Sequence, residues 1–156
     1  MRILFFEESN PAFTESALSL TPKVSLVKGG LYLDIEPTLK YFKGEENILL
    51  KAGQLCSHFG VSSPFVLTDR PEWAKAFSNH QEVFIPPGKS STVLLKLDIS
   101  RLEAIGDPNQ IEIEKKERNE LVRFMKRVGL KTIADFTQLS ATAIGRRFGK
   151  MGVSLL

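Results

Sequence analysis

Short apolar runs alternate with amphipathic stretches along the first two thirds of the chain. Brief apolar or alternating runs are typical of strands, and apolar positions spaced three or four residues apart are typical of helices. Because strands and helices take turns, the pattern predicts an α/β fold in which helices flank a small mixed sheet. The predicted strands span residues 1–6, 23–27, 31–35, 65–68 and 83–85.

Capping residues mark the helices that are predicted between these strands. A polar residue followed by proline opens a helix, and a glycine after the last turn closes one. Trp73 and Phe77, four residues apart on one such helix, are interpreted as core rather than as a stacking platform for bases. The predicted helices start at Pro11 with Ser9 or Asn10 as N-cap, run from Gly44 to Phe59 with Gly60 as C-cap, and pass through Pro71 to Phe77 with Asp69 as N-cap, whereas residues 90–102 are ambiguous between strand and helix.

The pattern changes after Gly106-Asp107-Pro108-Asn109, a turn sequence that is the best candidate for a linker. Residues 114–128 then follow a strongly amphipathic pattern, with Lys and Arg over much of the polar side. Two shorter helices are predicted after it, one capped by Thr132 and one by Ser140, with a stop at Gly149. The apolar stripe of the first helix comprises Leu121, Phe124, Met125 and Val128.

The chain is therefore predicted to divide into an α/β domain, residues 1–111, and a small helical module, residues 112–156. The first part carries 11 Lys/Arg against 13 Asp/Glu, a net charge of −2. The second part carries 10 against 5, a net charge of +5. A basic module on a mildly acidic body favours contact with a polyanion, although a solvated basic face accounts for the charge equally well.

Two segments of this module, VGLKTIADF (128–136) and AIGRRFGKMG (143–152), look like helix-hairpin-helix elements. Such elements hold a DNA phosphate on backbone N–H groups at the start of a helix, helped by basic side chains. The alternative is that their glycines are plain C-caps in a small bundle. The residues predicted to contact DNA are Lys131, Thr132, Arg146, Arg147 and Lys150, with backbone amides near Gly129 and Gly145. We expect weak, salt-dependent binding without sequence preference, with a Kd of about 10⁻⁴ to 10⁻⁶ M.

Cysteine and histidine, which zinc sites and nucleophilic triads use most, are scarce in this chain. Cys56 is the sole cysteine, which excludes an intramolecular disulfide and a cysteine-rich zinc site, and we expect a buried structural thiol. His58 and His80 have no recognisable acid partner, and the usual nucleophile-elbow and nucleotide-binding glycine motifs are absent. No apolar run approaches the ~20 residues that cross a bilayer, and no signal peptide is recognisable, so a cytoplasmic location without membrane contact is expected.

Five segments, in order along the chain, carry a resemblance to a known family. They are ALSLTPKVSLVKGGLYLDIE (17–36), TLKYFKGEENILLKAGQLCSHFG (38–60), VLTDRPEWAKAFS (66–78), FIPPGK (84–89) and ELVRFMKRVGLKTIADFTQLSATAIGRRFG (120–149). The first two resemble the palm of the Y-family (translesion) DNA polymerases, and the last resembles their thumb. The other two look closest to the catalytically altered ImuB-type subunit of the mutasome. The resemblance implies a partial polymerase palm followed by a thumb-like helix-hairpin-helix module.

A pair of glycines stands where the resemblance places catalytic acids. Asp34 matches the aspartate of the family's Leu-Asp-Val strand, and the Asp-Glu pair of active members then falls on Gly29 and Gly30. Two-metal phosphoryl transfer needs carboxylate oxygens to hold Mg²⁺, and glycine has none. Only about ten residues separate Phe6 from the helix at Ala17, too few for a fingers subdomain. The resemblance thus implies a protein that is not an enzyme and has no catalytic residues, no metal and no cofactor.

The function implied by this resemblance is that of an adaptor in translesion synthesis and DNA damage tolerance. Such a protein would bind the DNA backbone and join it to an error-prone polymerase subunit and a RecA-like accessory protein. One alternative is an active nucleotidyltransferase that uses an unusual acid set, Glu7, Glu8, Asp34 and Glu36. Another is an unrelated α/β protein-interaction platform that carries a helix-hairpin-helix DNA-binding module.

Overall fold

A five-stranded mixed sheet forms the centre of the computed structural model, which describes residues 1–79, 81–107, 109 and 114–156. The strands are β1 (Ile3–Phe6), β2 (Val24–Val27), β3 (Gly30–Asp34), β4 (Phe65–Thr68) and β5 (Val83–Phe84). Their order across the sheet is β2-β3-β1-β4-β5. The β1–β3, β1–β4 and β2–β3 pairs are antiparallel, and β4–β5 is parallel. The predicted α/β fold with a small mixed sheet is confirmed.

Helices connect the strands and make up the C-terminal part of the chain. They are α1 (Pro11–Ser16), α2 (Leu39–Phe42), α3 (Glu45–Phe59), α4 (Pro71–Phe77), α5 (Ser90–Leu95), α6 (Lys115–Arg127), α7 (Ile133–Thr137) and α8 (Ala141–Ser154), with 3₁₀ turns at Ala17–Ser19, Glu36–Thr38 and Ile99–Ala104. The ambiguous segment 90–102 is therefore helical. Within the described ranges, no helix has the length and apolar character needed to cross a membrane.

Most helix boundaries follow the local capping signals. The Asn10 side chain accepts the N–H of Phe13 at 2.8 Å, as expected of the N-cap of α1. Gly60 ends α3 with a left-handed backbone, and Ser140 caps α8. Gly149, with φ of 60° and ψ of −152°, breaks the helical geometry at the predicted stop, but further helical turns continue to the end of α8.

The predicted capping role of Asp69 is wrong. The N-cap of α4 is Arg70, and the Asp69 carboxylate instead accepts the N–H of Gly88 at 2.8 Å and the hydroxyl of Ser90. Although burial opposes it, these hydrogen bonds hold the pKa of Asp69 below its usual value. The carboxylate is drawn away from α4 because the loop before α5 folds back and brings two donors to it.

Side chains of β1 divide the core between the two faces of the sheet, because successive residues point in opposite directions. Leu4 and Phe6 lie in a core with α1 and α3 on one face. Ile3 and Phe5 lie in a second core on the other face, where α4, α5 and the C-terminal helices pack. Trp73 is packed against this second core and Phe77 is buried in it, as predicted.

This second core includes residues from both predicted domains. Leu121, Phe136 and Ile144, from α6, α7 and α8, are buried in the same cluster as Phe5 of β1. Val128, by contrast, is 54% exposed and does not belong to the buried stripe of α6. The predicted boundary between residues 111 and 112 lies outside the described residues, and the division into two domains stays a prediction.

A buried arginine reinforces the attachment of α6 to the body. Arg118 donates hydrogen bonds to the carbonyl oxygen of Ile105 and to the carboxylate of Glu114, the latter at 2.5 Å. The guanidinium lies directly over Gly106, where an added Cβ would sit 2.7 Å from it. Charge-assisted hydrogen bonds therefore hold α6 in place together with the shared core.

Candidate nucleic-acid interface

The turn between α6 and α7 begins at Gly129, whose φ is +88°. Its N–H donates to the carbonyl oxygen of Lys126, and the N–H of Leu130 donates to that of Met125, both at 3.1 Å. Gly145 lies inside α8, away from either helix end. Because the amide at Gly129 is already bonded within the protein, side chains are better candidates than this amide for phosphate contacts.

A capping box fixes the start of α7. The Asp135 carboxylate accepts the N–H groups of Lys131 at 3.0 Å and Thr132 at 2.9 Å, while the Thr132 hydroxyl accepts the N–H of Asp135. These bonds hold the pKa of Asp135 below its usual value. The carboxylate thus accepts hydrogen bonds from the amides on which a helix-hairpin-helix element would hold a phosphate. Thr132 has a capping role. Its DNA contact stays a prediction.

The remaining predicted DNA-binding residues reach solvent. Lys131 is exposed on the α6–α7 turn, Arg146 and Arg147 are exposed on α8, and Lys150 is exposed just beyond the break at Gly149. The four side chains are therefore available to an anionic partner.

Arg147 joins α8 to α6 through an aromatic contact. Its guanidinium carbon lies 4.0 Å from the centre of the Phe124 ring, and the Phe124 and Phe148 rings are 5.5 Å apart. A guanidinium stacked on a ring keeps its charge and its outward donors while its position is fixed. The contact therefore orients Arg147 next to the polar side of α6.

Two further arginines, Arg123 and Arg127, belong to this surface and are not among the predicted DNA-binding residues. Arg127 lies three residues after Phe124 and so on the same side of α6, and Arg123 lies one turn before Arg127. Both are exposed. In the sequence, their helical spacing beside an apolar stripe is the feature that could have identified them. That α8 lies next to them is shown by the stack of Arg147 on Phe124.

These arginines and the basic residues of α8 form one group, which we call the basic surface. Its members are Arg123, Arg127, Arg146, Arg147 and Lys150. Ion pairs among the described residues involve none of them. Like charges gathered without neutralising partners attract anions and create a positive potential over the surface.

The two glycines that stand where the resemblance expects catalytic acids lie at the β2–β3 turn. Gly29 and Gly30 have φ of +109° and +154°, angles that residues with side chains rarely adopt. A Cβ on Gly30 would overlap the Phe5 ring and lie 2.7 Å from the Phe6 carbonyl oxygen. A Cβ on Gly29 would lie 3.0 Å from the Lys75 ammonium. The backbone here accommodates no side chain without a shift of its neighbours.

The acids proposed for an active nucleotidyltransferase are not brought together. Ile3 pairs with Asp34 and Phe6 pairs with Leu31, so Glu7, which follows Phe6, lies at the end of β1 that is remote from Asp34. At about 3.3 Å per residue, the four residues from Ile3 to Glu7 separate the two acids by roughly 13 Å along the strands. Within the described ranges, no three His, Cys, Asp or Glu residues are grouped so that they could hold a metal. The residues present do not fit a two-metal centre.

Asp34 and Glu36 instead have partners of their own. Asp34 pairs with Lys23 at 3.3 Å and accepts the N–H of Glu36 at 3.2 Å. The Glu36 carboxylate pairs with the N-terminal amine of Met1. These acids therefore take part in local contacts at one end of the sheet.

A polar cavity of about 500 Å³ opens at the end of β1, and we call it the sheet-end cleft. Glu7, Glu8, Lys75, Ser78 and Arg101 are among the residues that line it. The Ser78 hydroxyl donates to the Glu7 carboxylate at 2.8 Å, and Arg101 donates to the Ser78 carbonyl oxygen at 2.9 Å. The cleft thus combines two carboxylates with two basic side chains.

The sole cysteine is buried, as predicted. Cys56 lies on the buried side of α3, and burial, with the nearby Glu82 charge, raises the pKa of its thiol to about 11. A thiol with so high a pKa is a poor nucleophile at neutral pH. His58 packs edge-on against Phe59, and His80 lies outside the described residues.

Several solved structures share this arrangement of strands and helices. The structure of DinB from Sulfolobus solfataricus matches with a TM-score of 0.68 and 17% identity, over 92% of this chain and 41% of that chain. The fold resembles part of a Y-family DNA polymerase. An insertion ternary complex of Dbh DNA polymerase matches with a TM-score of 0.67 and 14% identity, again over 92% and 41%. The chain therefore spans about two fifths of the polymerase chains that it resembles.

A third match is a Dbh ternary complex with partially disordered substrates, with a TM-score of 0.62 and 15% identity, over 92% of this chain and 43% of that one. No protein-family profile and no curated protein sequence matches the chain. At these identities, the likeness to the polymerases is one of fold. The predicted resemblance to a partial polymerase is confirmed at that level.

Proposed function

We propose that this chain is a non-catalytic, DNA-binding adaptor in translesion synthesis and DNA damage tolerance, of the ImuB type. One observation carries the proposal: a polymerase-like fold presents an unneutralised basic surface but has glycines, not carboxylates, at the end of its sheet. The first feature suits a phosphate backbone. The second leaves no acid set that fits two-metal chemistry.

The DNA contact is electrostatic and independent of sequence. Exposed arginines present donors that suit phosphate oxygens, and neutralising each phosphate releases condensed counterions. Nothing in α6 to α8 resembles a helix laid out to read base edges. We therefore expect a Kd of about 10⁻⁴ to 10⁻⁶ M that weakens steeply with salt.

The adaptor role rests on the resemblance to the ImuB-type subunit. The partners that it implies are an error-prone polymerase subunit and a RecA-like accessory protein, and the cytoplasmic location belongs to the same proposal. The names of the matched structures describe a polymerase in ternary complexes, which supports nucleic acid as the ligand class of this fold. The other two functions considered have less support, because the acids are dispersed and the fold is polymerase-like.

The DNA contact is tested by fluorescence anisotropy of a labelled primer–template duplex at about 50 and about 200 mM salt. We expect Arg146→Glu/Arg147→Glu to abolish binding. Lys40→Glu/Lys51→Glu, with the same charge change on α2 and α3 and away from the basic surface, is the matched control and should retain most of the binding. Equal losses in both variants, or salt-independent binding, would contradict the proposal. Circular dichroism shows whether each variant is folded.

The non-catalytic part is tested separately by primer extension with Mg²⁺ or Mn²⁺ and all four deoxynucleotides. We expect no extension above a protein-free blank. Extension that disappears in Glu7→Gln or Asp34→Asn would show that the chain is an enzyme after all. Either result is independent of the anisotropy measurement.

A further inference from the structure

A mostly apolar groove of about 900 Å³ runs between α3 and the edge strand β5, and we call it the α3–β5 groove. One wall is a continuous side of α3, because its lining positions are spaced three or four residues apart. At about 1.5 Å per residue, this side is roughly 16 Å long. The other wall consists of Phe65, Glu82 and Phe84. The α3 residues that line the groove are Glu46, Leu49, Leu50, Gly53, Gln54 and Ser57.

Two large apolar side chains of this groove are exposed to solvent. Leu50 is 65% exposed and Phe84 is 50% exposed. The Phe84 ring lies 5.8 Å from the buried ring of Phe65, so the apolar surface continues from the core of the sheet into the groove. Contiguous apolar surface of this kind marks interaction sites, whereas scattered apolar side chains do not.

The edge of β5 is poorly suited to pairing with another strand. The strand comprises only Val83–Phe84, and Pro86-Pro87 follows after one residue. The N–H of Ile85 donates to the Leu67 carbonyl oxygen within the sheet, and proline has no N–H to donate. An added strand would therefore gain few backbone hydrogen bonds. A helix satisfies its own backbone groups, so it is the better occupant of this groove.

Gly53 opens the middle of the α3 wall to a second helix. An added Cβ at this position would meet no atom within 4 Å, so the space above it is free. The distance between two packed helices depends on the side chains at their crossing point, and glycine permits the closest approach. A helix that crosses α3 at Gly53 covers Leu50, which lies one turn earlier on the same side.

The charged residues that line the groove are both acidic. Glu46 lies in the first turn of α3, and Glu82 lines a neighbouring cavity with Cys56 and Ser57, near the other end of that helix. Neither acid has an ion-pair partner in the part of the chain that the structure describes. Unpaired carboxylates at both ends of a groove favour a partner with basic side chains at matching positions.

We propose that the α3–β5 groove binds a partner protein through an amphipathic helix with an apolar stripe and Lys or Arg near each end. The stripe covers Leu50 and Phe84, and the basic side chains pair with Glu46 and Glu82. The proposal rests on the proposed adaptor function and extends it with a protein-binding site. Because α3 packs on the face of the sheet opposite to α6 and α8, the bound helix and the bound DNA lie on opposite faces.

The test selects binders from a phage-displayed library of random peptides of about 16 residues, long enough to form a helix. The whole chain is immobilised without DNA, and peptides that also bind Gly53→Gln are removed. This variant fills the middle of the groove but should fold well, because glutamine favours helix and its Cβ meets no atom within 4 Å. We expect enriched peptides with apolar residues three or four positions apart and Lys or Arg near both ends.

Selected peptides are then synthesised with a fluorophore and titrated by anisotropy. Leu50→Gln/Phe84→Gln should weaken their binding by about tenfold or more. Leu18→Gln/Leu26→Gln is the matched control, because it removes two similarly exposed apolar side chains at the opposite, β2 edge of the sheet. This control should bind as the wild type does.

A second pair of variants tests the charges. Glu46→Gln/Glu82→Gln should weaken binding and make it less dependent on salt, because two charge pairs are lost. Glu15→Gln/Glu120→Gln removes two exposed carboxylates from α1 and α6 and should bind with the affinity and salt dependence of the wild type.

The proposal is overturned if no peptide is enriched on the wild type over Gly53→Gln, or if the enriched peptides bind the control and the groove variants equally. It is also overturned if sedimentation shows self-association that Gly53→Gln abolishes, because a second copy then occupies the groove. Gly53→Gln alone decides should Leu50→Gln/Phe84→Gln prove unfolded by circular dichroism. Since no DNA is present, either result is distinguishable from a failure of the proposed DNA contact.

Discussion

The sheet-end cleft and the basic surface deal with charge in opposite ways. In the cleft, two acids are matched by Lys75 and Arg101 from the same chain. On the basic surface, the five members have no ion-pair partner among the described residues. A site whose positive and negative side chains cancel attracts ions only weakly, whereas a surface with an excess of positive charge attracts anions.

The proposed function, if it is correct, shows how a polymerase-like fold can keep DNA binding without catalysis. Two-metal catalysis depends on a few carboxylates in fixed positions, and at Gly29 and Gly30 the backbone angles disfavour any residue with a side chain. DNA binding depends on many weak phosphate contacts, which survive changes elsewhere in the fold. The proposed function therefore predicts that the two properties can be tested separately in this chain.

The largest effect is expected from restoring a side chain at the sheet end. Gly30→Glu places a Cβ against the Phe5 ring and the Phe6 carbonyl oxygen and forces a left-handed angle on glutamate. We expect the free energy of unfolding to fall by about 3 to 5 kcal/mol, measured by urea denaturation.

The matched control for this change is Gly53→Ala in α3, where an added Cβ meets no atom within 4 Å. Alanine in a helix interior should raise the free energy of unfolding by about 0.5 to 1 kcal/mol. A small effect of Gly30→Glu would mean that the sheet end can accept an acid, and the contrast between the two regions would weaken.

A smaller effect is expected from partly discharging the basic surface. Arg123→Gln/Arg127→Gln removes two charges from α6 but leaves the stack of Arg147 on Phe124 intact. If both arginines contact phosphates, the slope of log K against log salt should become shallower by about 1.8. Anisotropy titrations at several salt concentrations measure this slope directly.

Lys115→Gln/Lys116→Gln is the corresponding control, because it removes two charges from the start of α6, several turns from Phe124. An equal change of slope in both variants would show that only the net charge of the module matters. In that case, the basic surface as defined here would not be a distinct site.

The smallest effect concerns the capping box of α7. Hydrogen bonds from Thr132 and Lys131 lower the pKa of Asp135 in the folded protein. Its contribution to stability is therefore present above the unfolded pKa of about 3.9 and is lost as the pH falls through the lower folded value. Asp135→Asn should reduce stability slightly at neutral pH and flatten the loss of stability below about pH 4.

Thermal unfolding of Asp135→Asn and the wild type between neutral pH and about pH 3 measures this difference. Glu103→Gln, which removes a carboxylate from the 3₁₀ turn Ile99–Ala104, is a suitable reference. If both variants lose stability with pH in parallel, Asp135 does not stabilise α7 through its charge.

Elements that depend on neighbouring residues are well predicted by the sequence. Asn10 before Pro11, Gly60 after α3 and Thr132 before α7 act within a few residues, so their capping roles are visible locally. The short apolar runs at residues 1–6 and 65–68 likewise predict the strands β1 and β4, which the fold buries on both faces. The order of the strands is not among the features that the sequence predicts, because strand pairing joins residues that are far apart in the chain.

Features that depend on distant residues could not be predicted in this way. Asp69 turns from α4 to Ser90 because of a loop about twenty residues further on. Lys75 reaches Gly29 only through the packing of α4 on the sheet, and Arg147 meets Phe124 only through the packing of α8 on α6. None of these contacts has a local signature, since each is created by tertiary structure.

The buried Arg118 has a mechanical consequence. It fastens α6 to the carbonyl of Ile105, and the shared core holds the same helix against β1. A duplex bound by Arg123 or Arg147 would therefore keep a fixed orientation relative to the sheet. Rotation of the DNA would rotate α6 and the sheet together. A protein bound at the sheet edge would then meet the duplex at one fixed angle.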